Sequence, residues 1–218
     1  MFLPTWAAVD ASVKHDSTAL ALVSWSQPHQ RVELCDHRIF TPSPGQPIDF
    51  TAEVEQTLID WHRRFDLKTV WFDPHQMAAS SQRLLRLGLR MEEYPQSMPN
   101  LTAMGENLFN LIKGRNLLVY PDEQIRTAVL RAIAVEGNRG WKIDKTKQSH
   151  HIDIVIALGM AALASVRAQA QSTYDLSYRW VNGEEQADPK QAAKDEADAA
   201  YRQRLTQYLR LHGAFGFP

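Results

Sequence analysis

The 218 residues carry 24 Lys and Arg against 25 Asp and Glu, a formal net charge of −1, and 44% of them are apolar. Such a composition belongs to a soluble globular chain with one full core and an appendage, and it excludes a disordered one. It also excludes an overall positive field, so a nucleic-acid partner has to be held by a local basic patch. Cys35 is the single cysteine, which rules out an internal disulfide or a cysteine-rich zinc site and agrees with a reducing compartment. The start, MFLPTWAAVDASV, lacks a basic n-region and meets Asp10 early, unlike a secretory signal. The longest apolar run, Ile154 to Val166, is shorter than the roughly 20 residues that span a bilayer. The expectation is a cytoplasmic protein with no membrane contact.

Trp6 to Trp25 contains two apolar runs, Ala7–Val9 and Ala19–Val23, around a polar turn with Asp10 and Asp16. This pattern predicts a strand hairpin with Asp10 at the first strand's end. A turn Asp can simply bond its own backbone. An Asp at a buried strand end needs a partner, and a divalent cation is one that also does chemistry. Arg31 to Phe40 reads as a third strand, giving an antiparallel meander, and TPSPGQP closes it. Asp49 or Thr51 can cap a helix to about Phe65, whose Phe50, Val54, Leu58 and Trp61 share one face. Lys68 to Phe72 is a short strand that delivers Asp73, with Pro74 stopping it. Met77 to Leu87 reads as helix, Arg90 to Tyr94 as strand, and Asn100 to Lys113 as helix ending at Gly114. The alternation is that of α/β folds.

Asn116 to Tyr120 reads as an edge strand and Asp122 to Arg131 as a helix capped by Asp122. Within Ala132–Ser149 the Gly137-Asn138-Arg139-Gly140 core predicts a hairpin, whose arms and exit carry Arg139, Lys142, Lys145 and Lys147. Ser149 is a good N-cap for an apolar, buried helix from His150 to about Ala168, with Asp153 in its first turn. From Gln169 onward Ser, Gln, Asp, Glu, Lys and Ala dominate. This places a boundary near Ala170, between a domain over 1–169 and a polar linker with C-terminal helix over 170–218. Ser172 to Gly183 reads as loop, and Asp188 to about Leu211 as helix with Tyr201, Leu205, Tyr208 and His212 on one side. That tail is either a solvated helix or a partner-docking segment. There is no internal repeat and no GxxxxGK[ST] phosphate loop.

Asp10 and Asp73 end strands that can be neighbours, and Asp153 opens a helix that can pack across their ends. Carboxylates without a His/Cys set favour a hard ion, Mg²⁺ or Mn²⁺, which keeps waters and takes substrate phosphate into its shell. Two such ions about 4 Å apart activate a water and stabilise a leaving oxygen, so the reaction class is phosphodiester hydrolysis. Asp16 is a fourth ligand, an orienter of metal-bound water, or a plain turn residue. Lys145 and Lys147 are phosphate contacts or a solvated loop, and Arg139 and Lys142 would add contacts that position DNA without reading it. Trp141 is a base-stacking residue or a buried hairpin Trp. His75, His150 and His151 can each touch a phosphate or a metal-bound water.

The stretches VDASVKHDSTALALV at Val9–Val23, VWFDP at Val70–Pro74, YPQSMPNLTAMGENLFNLIKGRNLLVY at Tyr94–Tyr120 and KIDKTKQSHHIDIVIALGMAA at Lys142–Ala162 occur in this order. In them the sequence resembles the nuclease domain of the large terminase subunit of tailed bacteriophages, over roughly residues 5–168. The resemblance implies a ribonuclease H-like α/β fold: a central mixed sheet with an antiparallel meander flanked by helices, plus a C-terminal helical tail. It carries the family's metal-binding residues onto Asp10, Asp73 and Asp153 and its accessory Asp onto Asp16. It implies a two-metal-ion endonuclease that cuts concatemeric double-stranded viral DNA during genome packaging. The implied partners are double-stranded DNA, the portal, the small terminase subunit and a packaging ATPase domain. Large terminases carry that ATPase N-terminal to the nuclease; here Met1 stands almost at the first strand, so ATP-driven translocation is not expected of these residues.

Three other readings compete. Another ribonuclease H-like nuclease, a resolvase or an RNA–DNA hybrid cutter, would use the same carboxylates. A sugar-kinase or actin-like phosphate binder also opens with an Asp-bearing hairpin, but VDASVKHDST contains no glycine for a phosphate loop. A non-catalytic DNA-binding assembly module would keep the fold alone.

Overall fold

The computed structural model describes residues 3–12, 17–43, 45–138, 140–147 and 149–181, with 173–181 described as backbone only. Asp16, Arg139 and the tail helix expected from Asp188 lie outside the described residues. The chain divides into two compact units, Pro4–Val166 and a second formed by Met1–Leu3 with Arg167–Pro218.

In the first unit β1 (Pro4–Asp10), β2 (Thr18–Ser26) and β3 (Arg31–Phe40) form the expected antiparallel meander. β4 (Asp66–Phe72) lies parallel to β1 and β5 (Met91–Glu93) parallel to β4, while β6 (Leu117–Leu118) pairs parallel with β3. The six-stranded order is β5-β4-β1-β2-β3-β6. Alternate residues of the strands point to opposite faces. On one face Ala7, Val9, Leu20, Leu22, Val70 and Phe72 pack on Leu58 and Trp61 of α1 (Gln56–Arg64) and Met77 and Leu84 of α2 (Pro74–Arg86). Burying each large apolar side chain contributes about 1.5–3 kcal/mol. On the other face Trp6, Ala8, Ala19, Ala21 and Val23 are buried too, so the sheet is covered on both sides.

The helix starts follow from their caps. Asp49 accepts from the Thr51 and Ala52 amides, and the helix enters through a wider π-helical segment, Phe50–Glu55, before α1. Pro74 does more than stop a strand: it is the first residue of α2, with Asp73 as N-cap. Asp122 caps α4 (Glu123–Arg131) by accepting from the Ile125 amide. The hairpin β7 (Ala132–Gly137) and β8 (Gly140–Lys145) forms a separate two-stranded sheet. It rests on α3 (Met98–Lys113), where the Thr102 hydroxyl donates to the Trp141 carbonyl at 2.8 Å. A Cβ at Gly105 would stand 2.9 Å from the Trp141 ring, so Trp141 is a packing residue of the hairpin.

The last described helix, α5, runs Asp153–Val181. It starts three residues later than expected: Ser149 lies in a turn whose His150 amide donates to the Lys147 carbonyl, and the first helical bond closes on Ile152. It also continues through Ser172–Val181, expected as loop, because no Gly or Pro interrupts that stretch. The backbone of the second unit is accordingly helical from Arg167 to Val181. Asp153–Ser172 is long and apolar enough to cross a membrane by length and composition. Ile154 to Leu158 and Met160 to Ala164 are buried within the first unit, which is the condition of a core helix.

Candidate functional site

The site is set by strand register. Val9 of β1 is paired with Phe72 of β4 in a parallel ladder, so Asp10 and Asp73 each stand one residue beyond the same rung. Neighbouring strands are about 4.8 Å apart, and the two-residue alternation puts both carboxylates on the Trp6–Ala8 side of the sheet. β2 runs the opposite way, so its entrance lies at this end as well. There the Thr18 hydroxyl donates to the Ser12 carbonyl at 3.0 Å and closes the turn. Just before it, the Ser17 hydroxyl donates to Oδ2 of Asp153, across 136 positions of sequence. The three carboxylates named from the sequence therefore meet one end of one sheet.

Each is held by a neutral or local donor. Gln96, in the loop ahead of α3, donates its amide to Asp10 at 3.1 Å. The His75 amide donates to Asp73 at 3.2 Å as the α2 cap. Asp153 has Ser17, and the His151 ring nitrogen stands 4.0 Å from its Oδ2. Among the described residues no three His, Cys, Asp or Glu side chains are gathered closely enough to hold an ion between them. Asp10, Asp73 and Asp153 each meet a donor of their own at this sheet end. In kind the residues fit a hard divalent cation: oxygen donors only, at level strand ends, each bound by groups that an ion can replace.

The basic residues sort differently from the expectation. Lys142 is occupied by Asp144, at 2.8 Å, and this hydrogen bond first, then the Lys145 amide, holds the Asp144 carboxyl below its usual range. Lys145 and Lys147 belong to a connection that folds back on the end of α4: the Thr146 amide donates to the Arg131 carbonyl at 3.2 Å, and the Thr146 hydroxyl meets the His150 ring at 2.7 Å. The His150 imidazole is pushed below its ordinary pKa, by lost hydration first and then by the charges of Arg131, Lys147, His151 and Lys145. Arg131, Lys145 and Lys147 thus gather positive charge around the His150 ring, close to the start of α5. His75 is exposed at the start of α2. Gln96, Ser17 and Arg131 were missed by sequence reasoning: each is a common polar residue whose role comes from a tertiary contact.

No protein-family model and no curated protein matches the sequence. Solved structures do match. The large terminase of bacteriophage HK97 superposes with TM-score 0.65 at 19% identity over 74% of this chain. The chain has the fold of a large-terminase nuclease domain. It spans 39% of the HK97 protein's length. The large terminase nuclease of thermophilic phage G20c superposes with TM-score 0.58 at 14% identity, covering 72% of this chain and 80% of that one. A G20c structure with bound magnesium gives TM-score 0.56 at 15% identity, over 72% of this chain and 79% of that one. The mixed six-stranded sheet with helices on both sides is the shared part of this terminase-nuclease fold.

Proposed function

We propose that the chain is a divalent-metal-dependent endonuclease that hydrolyses phosphodiester bonds of double-stranded DNA, in the manner of a nuclease cutting concatemeric viral DNA during bacteriophage packaging. The observation that carries this reading is the level placement of Asp10 and Asp73 on parallel neighbouring strands, with Asp153 tied by Ser17 to the same sheet end. The fold it shares with phage terminase nucleases, one of them with bound magnesium, supports it.

Asp10, Asp73 and Asp153 would hold Mg²⁺ or Mn²⁺, with Asp16 as an accessory carboxylate. When bound, a pair of such ions supplies a nucleophilic water and charge stabilisation for the leaving oxygen. The chain's own groups do the rest. Gln96 fixes the rotamer of Asp10, and Ser17 fixes that of Asp153. Arg131, Lys145 and Lys147 offset phosphate charge as the strand approaches, a sequence-independent contribution. Arg139 and Lys142 would extend this track along the hairpin when Lys142 exchanges Asp144 for a phosphate. Within this reading the protein works in the host cytoplasm, with a packaging ATPase module, the portal and the small terminase subunit as partners.

The test is nicking and linearisation of supercoiled plasmid with Mg²⁺, Mn²⁺ or EDTA, comparing the protein with Asp73→Asn. Metal-dependent cutting that disappears in the variant is the expected result. Absence of cutting with either metal would leave a DNA-binding module with a nuclease fold.

A further inference from the structure

Beside Asp153, between α4 and the end of β3, lies a cleft of about 260 Å³. Thr41, Gln124, Thr127, Arg131, His151 and Asp153 line it, over an apolar floor that includes Ile39 and Ala128. Gln124, Thr127 and Arg131 are three and four residues apart, so they share one face of α4. At the helical rise Gln124 and Arg131 are about 10 Å apart along the axis. The cleft therefore has a polar wall with a guanidinium at the end nearest Asp153. Among the described residues no carboxylate pairs with Arg131, and its charge stands with those of Lys145 and Lys147 around the His150 ring. Glu123, at the far rim, is paired with Arg126. An unpaired planar fork of donors fits a phosphodiester oxygen pair.

The geometry points to this cleft as the subsite for the nucleotide flanking the bond to be cut, with Arg131 gripping its phosphate and Thr127 and Gln124 meeting its sugar and base. This inference rests on the nuclease reading above. The volume is on the scale of one nucleotide, so the cleft takes one strand and holds it in line with the carboxylates. Arg131 is thereby a substrate-binding residue contributed by a helix that carries none of the three carboxylates.

The experiment is fluorescence anisotropy of a short labelled duplex with the cutting-disabled Asp73→Asn protein and Mg²⁺ across a KCl series, paired with plasmid cleavage in the otherwise native chain. Arg131→Ala is expected to weaken binding about tenfold and to lower the log Kd against log salt slope by about 0.9, one phosphate contact. Arg131→Lys keeps the slope, and Gln124→Ala weakens binding about fivefold with the slope unchanged. Arg63→Ala, on α1, is the control for an exposed cation elsewhere. The Arg131 bond to Thr146 is made by its backbone, so the substitutions leave it in place. Inorganic phosphate titrated alone tests for a free anion, and its binding in preference to DNA overturns the strand reading. Cutting by the native chain with Arg131→Ala matching it in affinity, slope and rate overturns the subsite and spares the nuclease. No cutting by the native chain, with the slope still lost in Arg131→Ala, overturns the nuclease and keeps the cleft as a strand-binding site.

Discussion

Asp73 serves two ends that substitution can separate. Its carboxylate caps α2 through the His75 amide at 3.2 Å, and it supplies negative charge level with Asp10. Asn is as good an N-cap as Asp, whereas Ala removes the cap at a cost of about 1 kcal/mol. For a domain of this size that is a melting shift of about 2–4 °C. In EDTA, Asp73→Asn should therefore melt with the native protein or slightly above it, since a like charge near Asp10 is gone, and Asp73→Ala should melt 2–4 °C lower, by about that capping contribution. Adding Mn²⁺ at about a hundred times its Kd stabilises the native fold by about 2.7 kcal/mol. That gain should be largely lost in both variants. Differential scanning calorimetry with and without metal reads all three proteins. Equal destabilisation of Asn and Ala in EDTA would refute the capping argument, and a full Mn²⁺ gain in both would remove Asp73 from the ion's ligands.

Two further outcomes follow from packing and charge. Gly105→Ala places a Cβ 2.9 Å from Cη2 and Cζ3 of Trp141, an overpacking cost of about 1–3 kcal/mol set against a helix gain of up to about 1 kcal/mol. Net destabilisation with faster amide exchange in the hairpin 132–145 is expected, and a more stable variant would show that the hairpin yields freely. Glu55 is buried at 4% exposure and takes the Arg83 Nε at 3.1 Å on both oxygens. Burial pushes its pKa up, but the hydrogen bonds from Arg83 and Ser80 and the Arg83 charge outweigh this and hold it below 4.5. A lowered carboxyl pKa contributes stability that is present above the unfolded value and lost as pH falls through the folded one. Urea denaturation from pH 6 down to about pH 3 should then show a shallower decline for Glu55→Gln than for the native chain, and identical slopes would count against the pair.

Much of the fold was legible because local signals and tertiary needs agree. The meander, the Asp49 and Asp122 caps and the Gly137–Gly140 hairpin turn each have a short-range cause, and each is where the sequence puts it. The end of α5 was not legible: Ser and Gln after Ala170 look like linker, but nothing there breaks a helix already propagating, so it continues to Val181. At its start Ser149 offered a plausible cap, yet the backbone turns at Lys147–His150 and Ile152 supplies the first carbonyl. The carboxylates were visible as acids at strand and helix ends. Their holders were not, since Gln96 is 86 positions from Asp10 and Ser17 is 136 from Asp153. Arg131 looked like any basic residue closing a helix, until the Thr146 bond brought the 145–151 connection onto it.

The rung between Val9 and Phe72 also ties two properties that could have drifted apart. Side chains on a strand alternate with period two, so sliding β4 by one residue against β1 would move Asp73 off the level of Asp10. The same slide would turn Val70 and Phe72 out of the α1–α2 core and bring Thr69 and Trp71 into it. No intermediate register keeps the chemistry while giving up the packing, or the reverse. Selection for a folded sheet is then selection for paired acids at its rim, and a lineage can lose the acids by substitution but not by gradual slippage of the strands that present them.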